Sequence, residues 1–175
     1  MMNRSTNNIF LIGFMGAGKT SVGRILAKSL EMSFVDLDVE IEKELGMTIP
    51  EIFSTHGEDF FRDAESKVLR SVAQRERQVI ATGGGVVLKE ENWKTMKKEG
   101  VTIYLKAPAE VLYNRVKHTR SRPLLQVENP FEKVQELLSK RIPLYENADL
   151  IVDTEHISPQ EVVREIGKKL MPLVP

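Results

Sequence analysis

The sequence contains no cysteine. That absence excludes disulfide bonds, thiolate metal sites and cysteine nucleophiles, and it is typical of proteins in a reducing cytoplasm. Long apolar runs are also missing, since none approaches the roughly 20 residues that cross a bilayer. Only four apolar residues, Ile9 to Ile12, follow the polar N-terminus, far fewer than a signal peptide needs. We therefore expect a cytoplasmic protein with no membrane partner.

Net charge is absent as well. The 25 Lys and Arg residues balance 25 Asp and Glu residues, so no overall field attracts nucleic acid, and we expect no nucleic-acid partner. The three histidines are too scattered to suggest a metal site. A length of 175 residues with 41% apolar residues fits one globular domain, residues 1–175.

Short apolar runs alternate with stretches of helical periodicity, which is the pattern of an α/β fold with a parallel sheet. The runs predict five strands, at Ile9–Ile12, Phe34–Val35, Val79–Ala81, Val101–Leu105 and Leu150–Val152. Helices are expected between them, for example after the first strand and before the third. Near the end, Ser158, Pro159 and Glu161 form the signature of a capped helix start. The sequence thus predicts a central five-stranded parallel sheet flanked by helices.

One segment differs from the rest. Residues 117–123, Lys-His-Thr-Arg-Ser-Arg-Pro, are basic and have almost no apolar anchor. Because few buried contacts hold such a segment, we expect a mobile lid at about residues 116–127.

Residues 13–20 match the phosphate-binding pattern G-x-x-x-x-G-K-[ST], after a predicted strand and at the start of a predicted helix. Glycines let backbone N–H groups converge on phosphate oxygens, and the helix adds its positive end. Lys19 should reach the β- and γ-phosphates of ATP, and the Thr20 hydroxyl should bind Mg²⁺. The alternative is a glycine-rich turn without a ligand, which leaves the Lys-Thr pair unexplained. The predicted ATP-binding residues of this loop are Gly13, Gly16, Ala17, Gly18, Lys19, Thr20 and Ser21.

The second strand ends in Asp36-Leu37-Asp38, whereas the third runs into glycines and offers no carboxylate. On an extended chain Asp36 and Asp38 face the same side, at the strand end where ligands bind in open α/β sheets. One can serve Mg²⁺ and the other an acceptor hydroxyl. The alternative is that Asp38 only caps a helix over Val39–Leu45.

Two arginines are candidates for binding an anionic acceptor. Arg62 and Glu65 lie three apart on one predicted helix, where the carboxylate can hold the guanidinium, although by itself an exposed surface ion pair is the simpler interpretation. Arg141 continues the apolar stripe of Val134 and Leu138, in a helix that we expect Pro143 to limit. An inward guanidinium needs a partner, either an internal carboxylate or a bound one.

Two further segments complete the set. Gly83-Gly84-Gly85 at a strand end suggests close backbone approach to a ligand, with a plain turn as the alternative. In the lid, Arg120 or Arg122 can neutralise charge in a phosphoryl-transfer transition state if the segment folds over the phosphates. Otherwise that segment is a solvated charge run.

Taken together, these motifs resemble shikimate kinase over nearly the whole chain. The segments that carry the resemblance are the P-loop, Asp36-Leu37-Asp38, Phe61-Arg62-x-x-Glu65, Gly83-Gly84-Gly85, Arg122-Pro123-Leu124-Leu125 and Arg141-x-Pro143-Leu144-Tyr145. The resemblance implies a nucleoside-monophosphate-kinase-like fold, a monomer, and one Mg²⁺ per subunit with ATP as co-substrate. It also implies transfer of the γ-phosphoryl group of ATP to the 3-hydroxyl of shikimate, on the pathway to chorismate and the aromatic amino acids.

The same resemblance implies individual roles. On the acceptor side, Asp38 holds the hydroxyl, Arg62 and Arg141 bind the shikimate carboxylate with backbone help from Gly83 to Gly85, and Glu65 orients Arg62. On the donor side, the resemblance implies that Arg122 contacts the transferring phosphoryl group, Arg115 lies along the adenine, the loop after Asp153 closes the other side of the base, and Asp36 reaches Mg²⁺ through water. The implied catalytic residues are Lys19, Asp38 and Arg122.

Two other functions remain open. A kinase for another small hydroxy acid, such as gluconate, predicts the P-loop and the lid but leaves the arginine pair and the triple glycine unexplained. A P-loop module that senses ATP without turnover needs neither an acceptor site nor a phosphoryl clamp.

Overall fold

The computed structural model describes residues 8–119 and 125–172. Five strands form one parallel sheet in the order β2-β3-β1-β4-β5, which confirms the predicted sheet. The strands are β1 Asn8–Ile12, β2 Ser33–Asp36, β3 Gln78–Ala81, β4 Gly100–Lys106 and β5 Leu150–Asp153.

The central strand is buried along its whole length. Ile9 on β1 pairs with Val79 on β3 and with Val101 on β4, and all three side chains are buried. A strand covered on both faces needs apolar residues at every position, because helices cover both faces of a parallel sheet. The continuous apolar runs in the sequence therefore correspond to strands of the core.

Seven helices of the described chain surround the sheet. They are α1 Lys19–Ser29, α2 Leu37–Leu45, α3 Ile49–Ala73, α4 Glu90–Glu99, α5 Ala109–Val116, α6 Pro130–Tyr145 and α7 Pro159–Leu170, with a short 3₁₀ helix at Val86–Leu88 before α4. Gly57 interrupts α3 with a φ of 82°. This kink divides α3 into a short first part and a long second part.

The helix ends test two predictions. Ser158 and Glu161 form the predicted capping box of α7, which buries Val162, Ile166 and Leu170. The prediction that Pro143 limits its helix was wrong, since α6 continues two residues further to Tyr145. A proline in the last turn removes only one backbone hydrogen bond, and burial of Tyr145 keeps the chain helical beyond it.

The strand order brings three loops to one edge of the sheet. Because β3 lies between β2 and β1 in a parallel sheet, the carboxyl ends of these three strands are neighbours, and ligands bind at such an edge in open α/β sheets. The predicted lid at about residues 116–127 includes 120–124, so Arg120 and Arg122 lie outside the described residues. No helix in the described parts of the chain has the length and apolar character to cross a membrane.

Candidate active site

The loop between β1 and α1 has the backbone of a phosphate cradle. Gly16 and Gly18 adopt φ values of 82° and 91°, a region that side chains with a Cβ rarely occupy. A Cβ on Gly16 would also lie 2.9 Å from the carbonyl oxygen of Leu112. At the start of α1, Gly18 supplies no side-chain cap and the first turn has no acidic residue. The amide groups at this helix end are therefore suited to an anion.

Lys19 and Thr20 begin α1 beside this loop. The Lys19 ammonium group donates hydrogen bonds to the carbonyl oxygens of Gly13, at 2.6 Å, and Phe14, at 3.0 Å. The Thr20 hydroxyl donates to Asp36 Oδ2 at 3.2 Å. The P-loop and the end of β2 thus meet through a hydroxyl and a carboxylate.

Asp36, and not Asp38, caps α2. Asp36 Oδ1 accepts from the backbone N–H of Asp38 at 3.0 Å and of Val39 at 3.4 Å. The alternative in which Asp38 caps a helix over Val39–Leu45 was therefore wrong. So was the expectation of an extended segment with both carboxylates on one side, because the helix begins at Leu37, directly after the strand. Asp38 lies in the first helical turn, and its carboxylate reaches the cleft from there.

The Thr20 hydroxyl and the Asp36 carboxylate fit a magnesium ion. Mg²⁺ prefers hard oxygen ligands and is usually held by one or two carboxylates together with substrate phosphates and water. No group of three or more acidic or histidine side chains that could form a metal cage is present among the described residues. The donors present therefore suit a metal that enters with a nucleotide better than a permanently bound one.

Arg62 and Glu65 form a buried ion pair on α3. Arg62 Nη1 donates to Glu65 Oε2 at 2.9 Å, and Arg62 Nη2 contacts Glu58 Oε1 at 3.3 Å. Arg62 is 8% exposed and Glu65 is 0% exposed. The interpretation as an exposed surface pair was therefore wrong, because the packing of α3 takes both groups out of water.

Some polar atoms of this buried ion pair lack hydrogen-bond partners. Among the described residues, Arg62 Nε and Glu65 Oε1 have no hydrogen-bond partner. Burial raises the pKa of the Glu65 carboxyl, Arg62 offsets part of that rise, and the charge of Asp38 adds to it. Buried polar groups without partners are rare in native proteins, and perturbed titratable groups in a cleft indicate a functional site.

Arg141 on α6 is buried, as its place in the apolar stripe predicts. It is 3% exposed, and its guanidinium carbon lies 5.6 Å from the ring centroid of Phe14 in the P-loop. A Cβ placed on Gly84 would lie 3.3 Å from Arg141 Nη1. Arg141 thus connects the P-loop with the triple glycine.

The triple glycine allows the charged groups to approach the backbone. A Cβ on Gly83 would lie 2.8 Å from Glu65 Oε1 and 3.1 Å from Asp38 Oδ1, and one on Gly85 would overlap the Arg62 guanidinium. The loop also turns into the 3₁₀ helix, but a plain turn does not explain why all three positions lack a side chain. The close packing of charged side chains against the loop explains why each position is a glycine.

These features surround one cleft of about 450 Å³, a volume typical of small-ligand sites. The predicted residues that line it are Gly16, Gly18, Lys19, Thr20, Ser21, Asp36, Asp38, Arg62, Glu65, Gly83, Gly84, Gly85 and Arg141. The sequence did not predict the wall formed by Val39, Glu42, Ile49, Pro50 and Phe53. Four of these five residues are apolar and Glu42 resembles other surface carboxylates, so no local signal marks them as pocket residues.

Of the predicted nucleotide-binding residues that the structure describes, four do not line this cleft: Gly13, Ala17, Arg115 and Asp153. Arg115 nevertheless contacts the P-loop, since its guanidinium donates to the carbonyl oxygens of Gly16, at 3.0 Å, and Thr154, at 3.2 Å. Asp153 is exposed, and its carboxylate accepts from the N–H of Glu155 at 2.8 Å. Arg115 thus connects the P-loop to the segment that follows β5.

Known proteins are similar to this chain in sequence and in architecture. A family model described as shikimate kinase matches residues 15–171. A curated shikimate kinase from Thermodesulfovibrio yellowstonii is 56% identical over 162 residues, 93% of this chain and 94% of that protein. A solved shikimate kinase from Acinetobacter baumannii in complex with shikimate superposes with a TM-score of 0.93 and 40% identity, covering 97% of this chain and 96% of that chain.

A more distant structure shares the fold alone. A gluconokinase from Sinorhizobium meliloti superposes with a TM-score of 0.68 at 21% identity, covering 98% of this chain and 95% of that chain. The family match, by contrast, covers residues 15–171, which include most of the P-loop, the two buried arginines and the triple glycine. The chain therefore belongs to the shikimate kinase family.

Proposed function

We propose that this chain transfers the γ-phosphoryl group of ATP to the 3-hydroxyl of shikimate, giving shikimate 3-phosphate and ADP. The observation that carries the proposal is one cleft that combines a P-loop with two buried arginines and a side-chain-free glycine loop. The P-loop supplies a site for the donor. The arginines and glycines supply a site for a compact acceptor that bears a carboxylate.

On the donor side, the first amide groups of α1 and the Lys19 ammonium group hold the phosphates. Lys19 reaches them by leaving the carbonyl oxygens of Gly13 and Phe14. Thr20 and Asp36 would hold one Mg²⁺, Asp36 through water, and the ion neutralises charge on the phosphate oxygens when it is bound. Lys19 then stabilises charge that spreads over the transferring group.

On the acceptor side, Arg62 and Arg141 bind the carboxylate. Hydrogen bonds to charged groups contribute roughly 1.5–3 kcal/mol each, so two guanidinium groups supply several kcal/mol for orientation. Glu65 fixes the Arg62 side chain through its 2.9 Å bond. Orientation is the main requirement of this chemistry, because phosphoryl transfer passes through a loose transition state with little covalent assistance.

Asp38 orients the acceptor hydroxyl and takes its proton late. A carboxyl group with an ordinary pKa near 3.9 is a weak base toward a hydroxyl that resembles water, at about 15.7. Early proton abstraction is therefore too costly, and the proton moves as the bond to phosphorus forms. A pH–rate profile that requires the acceptor to be fully deprotonated before transfer would contradict this role.

Three assignments rest on the family resemblance. Arg122, outside the described residues, is proposed to contact the transferring phosphoryl group. Arg115 and the loop after Asp153 are proposed to enclose the adenine, and the contact of Arg115 with the P-loop supports this. We also propose a monomeric cytoplasmic enzyme.

The rival functions make different predictions. Gluconate also bears a carboxylate, so Arg62 and Arg141 alone do not separate the two acceptors. An ATP sensor needs no acceptor site. The 56% identity to a curated shikimate kinase, against 21% to the gluconokinase, supports the proposed acceptor.

A coupled ADP-release assay tests the proposal. The purified chain is supplied with ATP and Mg²⁺ and with shikimate, with gluconate, or with no acceptor. We expect ADP release with shikimate alone, at one equivalent of shikimate 3-phosphate per ADP. Turnover with gluconate but not shikimate overturns the proposed acceptor, and no turnover with any acceptor favours the sensor. Omission of Mg²⁺ in the presence of a chelator should abolish turnover.

A further inference from the structure

The hydroxyl of Tyr145 makes a contact that the roles proposed above do not include. Tyr145 is the last residue of α6, its side chain is fully buried, and its hydroxyl donates a 2.6 Å hydrogen bond to the carbonyl oxygen of Gly84. The two residues are 61 positions apart in the chain. The bond therefore joins the end of α6 to the middle of the glycine loop.

This bond completes a pattern in the loop. The carbonyl oxygen of Gly83 accepts from the N–H of Val86 at 3.2 Å, that of Gly85 accepts from the N–H of Leu88 at 3.1 Å, and that of Gly84 accepts from Tyr145. In the described parts of the chain, no N–H group of the three glycines donates to a protein acceptor. The loop thus has its acceptors occupied and its donors available to a ligand.

The hydrogen bond from Tyr145 to the Gly84 carbonyl also fixes the direction of the Gly85 N–H group. The carbonyl of Gly84 and the N–H of Gly85 belong to one planar trans peptide, so they point in opposite directions. Because Tyr145 holds the carbonyl toward the buried end of α6, it directs the Gly85 N–H away from that end. Gly85 borders the cleft and lies against the Arg62 guanidinium.

The same helix face carries a carboxylate-binding candidate. Arg141 precedes Tyr145 by one turn, so both side chains project from one side of α6, and Arg141 Nη1 lies beside Gly84. Burial raises the pKa of the Tyr145 hydroxyl above its ordinary value, with Arg141 offsetting part of the rise. The hydroxyl therefore remains a donor throughout the physiological pH range.

We propose that Tyr145 is a positioning residue for the acceptor: its hydroxyl holds the Gly84 carbonyl so that the Gly85 N–H faces the acceptor carboxylate. This inference rests on the proposed function, because it assumes a carboxylate between Arg62 and Arg141. Tyr145 itself does not touch the acceptor.

The test is steady-state kinetics of Tyr145→Phe with both substrates. We expect the KM for shikimate to rise about five- to tenfold, the range that corresponds to one lost hydrogen bond. The KM for ATP should stay within twofold. Because KM does not depend on the concentration of folded enzyme, partial unfolding of the variant leaves this readout unchanged, and circular dichroism measures the folded fraction separately.

Tyr104→Phe is the matched control. Tyr104 is buried on β4 and its ring stacks on that of Tyr145 with centroids 4.9 Å apart, so the control removes a neighbouring tyrosine hydroxyl. We expect its KM for shikimate to equal that of the wild type. An equal rise in both variants would show a general packing effect and overturn the inference.

An acceptor analogue that lacks the carboxylate gives the second readout. With the corresponding cyclohexene triol, kcat/KM of the wild type and of Tyr145→Phe should be the same, because the loop then has no anion to bind. A penalty of equal size with both acceptors overturns the positioning role. A wild type that fails to phosphorylate shikimate overturns the proposed function, whereas an active wild type with an unchanged KM in Tyr145→Phe overturns this inference alone.

Discussion

The donor and acceptor sides of the cleft are built in different ways. The phosphate-binding part of the donor side comes from one continuous segment, residues 13–21, and consists largely of backbone amides at the start of α1. The acceptor side comes from α2, α3, the glycine loop and α6, and it depends on buried charged side chains. A backbone cradle tolerates changes elsewhere in the protein, whereas an assembled charge site depends on how several elements pack.

Replacement of Lys19 should produce the largest effect. The effect should appear in kcat and leave acceptor binding unchanged. Lys19→Met removes one preorganised cation from the transferring group, and such losses cost about a hundredfold to a thousandfold in kcat. The KM for shikimate should stay within about twofold, because the acceptor is held by α3, α6 and the glycine loop. Steady-state kinetics with both substrates measures this.

Lys28→Met is the matched control for that change. Lys28 is exposed in the last turn of the same helix, far from the phosphate end. We expect wild-type kinetics from it. If Lys19→Met raised the KM for shikimate as strongly as it lowered kcat, the two sides would not be independent.

Replacement of Arg141 should produce the next largest effect, on the acceptor side. Arg141→Lys keeps the charge but loses the forked geometry of the guanidinium, so the KM for shikimate should rise about tenfold to a hundredfold. The KM for ATP should change much less, although Arg141 lies over Phe14 of the P-loop. The exposed Arg164 on α7 offers a matched Arg→Lys control that should leave both constants unchanged. Equal shifts in the two KM values would indicate that Arg141 mainly supports the P-loop.

Glu65, on the acceptor side, should make the stability of the protein depend on pH. Burial raises the pKa of Glu65 above its ordinary 4.5, so the folded state binds this proton more tightly than the unfolded chain. The carboxyl group therefore favours folding most below pH 4.5, and that advantage is lost as the pH rises to the raised value. We expect the free energy of unfolding of the wild type to fall relative to Glu65→Gln over this window, as measured by urea unfolding between pH 4 and 8.

Glu51→Gln serves as a control of opposite sign. Hydrogen bonds from the backbone and hydroxyl of Thr48 lower the pKa of Glu51, which is exposed at the start of α3. Its contribution to stability is therefore present above pH 4.5 and lost as the pH falls through the lowered value. The free energy of unfolding of the wild type should therefore rise relative to that of Glu51→Gln as the pH rises from the lowered pKa to 4.5. If the free energy of unfolding of the wild type rose with pH relative to Glu65→Gln, as it should relative to Glu51→Gln, the assignment for Glu65 would be contradicted.

A local pattern in the sequence indicates the P-loop more directly than it indicates the buried Arg62–Glu65 pair, for a physical reason. The P-loop is local, so its pattern carries both its glycine conformations and the start of α1. The i, i+3 spacing of Arg62 and Glu65 is the same for a surface pair and a buried one, and only the packing of α3 decides between them. The bond from Tyr145 to Gly84 spans 61 positions, so no local pattern contains it.

The junction of β2 and α2 shows a second limit. An Asp-x-Asp sequence fits an extended segment as well as a helix start, and helix formation from Leu37 settled which carboxylate became the cap. The five strands, in contrast, were predicted correctly because the central strands are buried on both faces, and continuous apolar runs then have few other interpretations.

The smallest expected effect concerns two capping boxes that have the same chemistry on different elements. Thr48 and Glu51 cap α3, which carries acceptor residues, and Ser158 and Glu161 cap α7, which packs against α1 and β5. Thr48→Ala and Ser158→Ala should each lower the free energy of unfolding by about 1 kcal/mol, because each removes a side chain that accepts from an N–H of the first turn. Urea unfolding measures both losses.

The kinetics of these two variants test how far the acceptor site depends on the start of α3. Gly57 interrupts the helix between Thr48 and Arg62, and its φ of 82° breaks the regular backbone there. Loosening of the first turn should therefore not reach the Arg62 guanidinium, and the KM for shikimate should stay within about twofold in both variants. A selective rise in Thr48→Ala would mean that the first part of α3 holds the acceptor directly through Phe53 and its neighbours. In that case the acceptor side of the cleft would extend across the Gly57 kink to the capping box of Thr48 and Glu51.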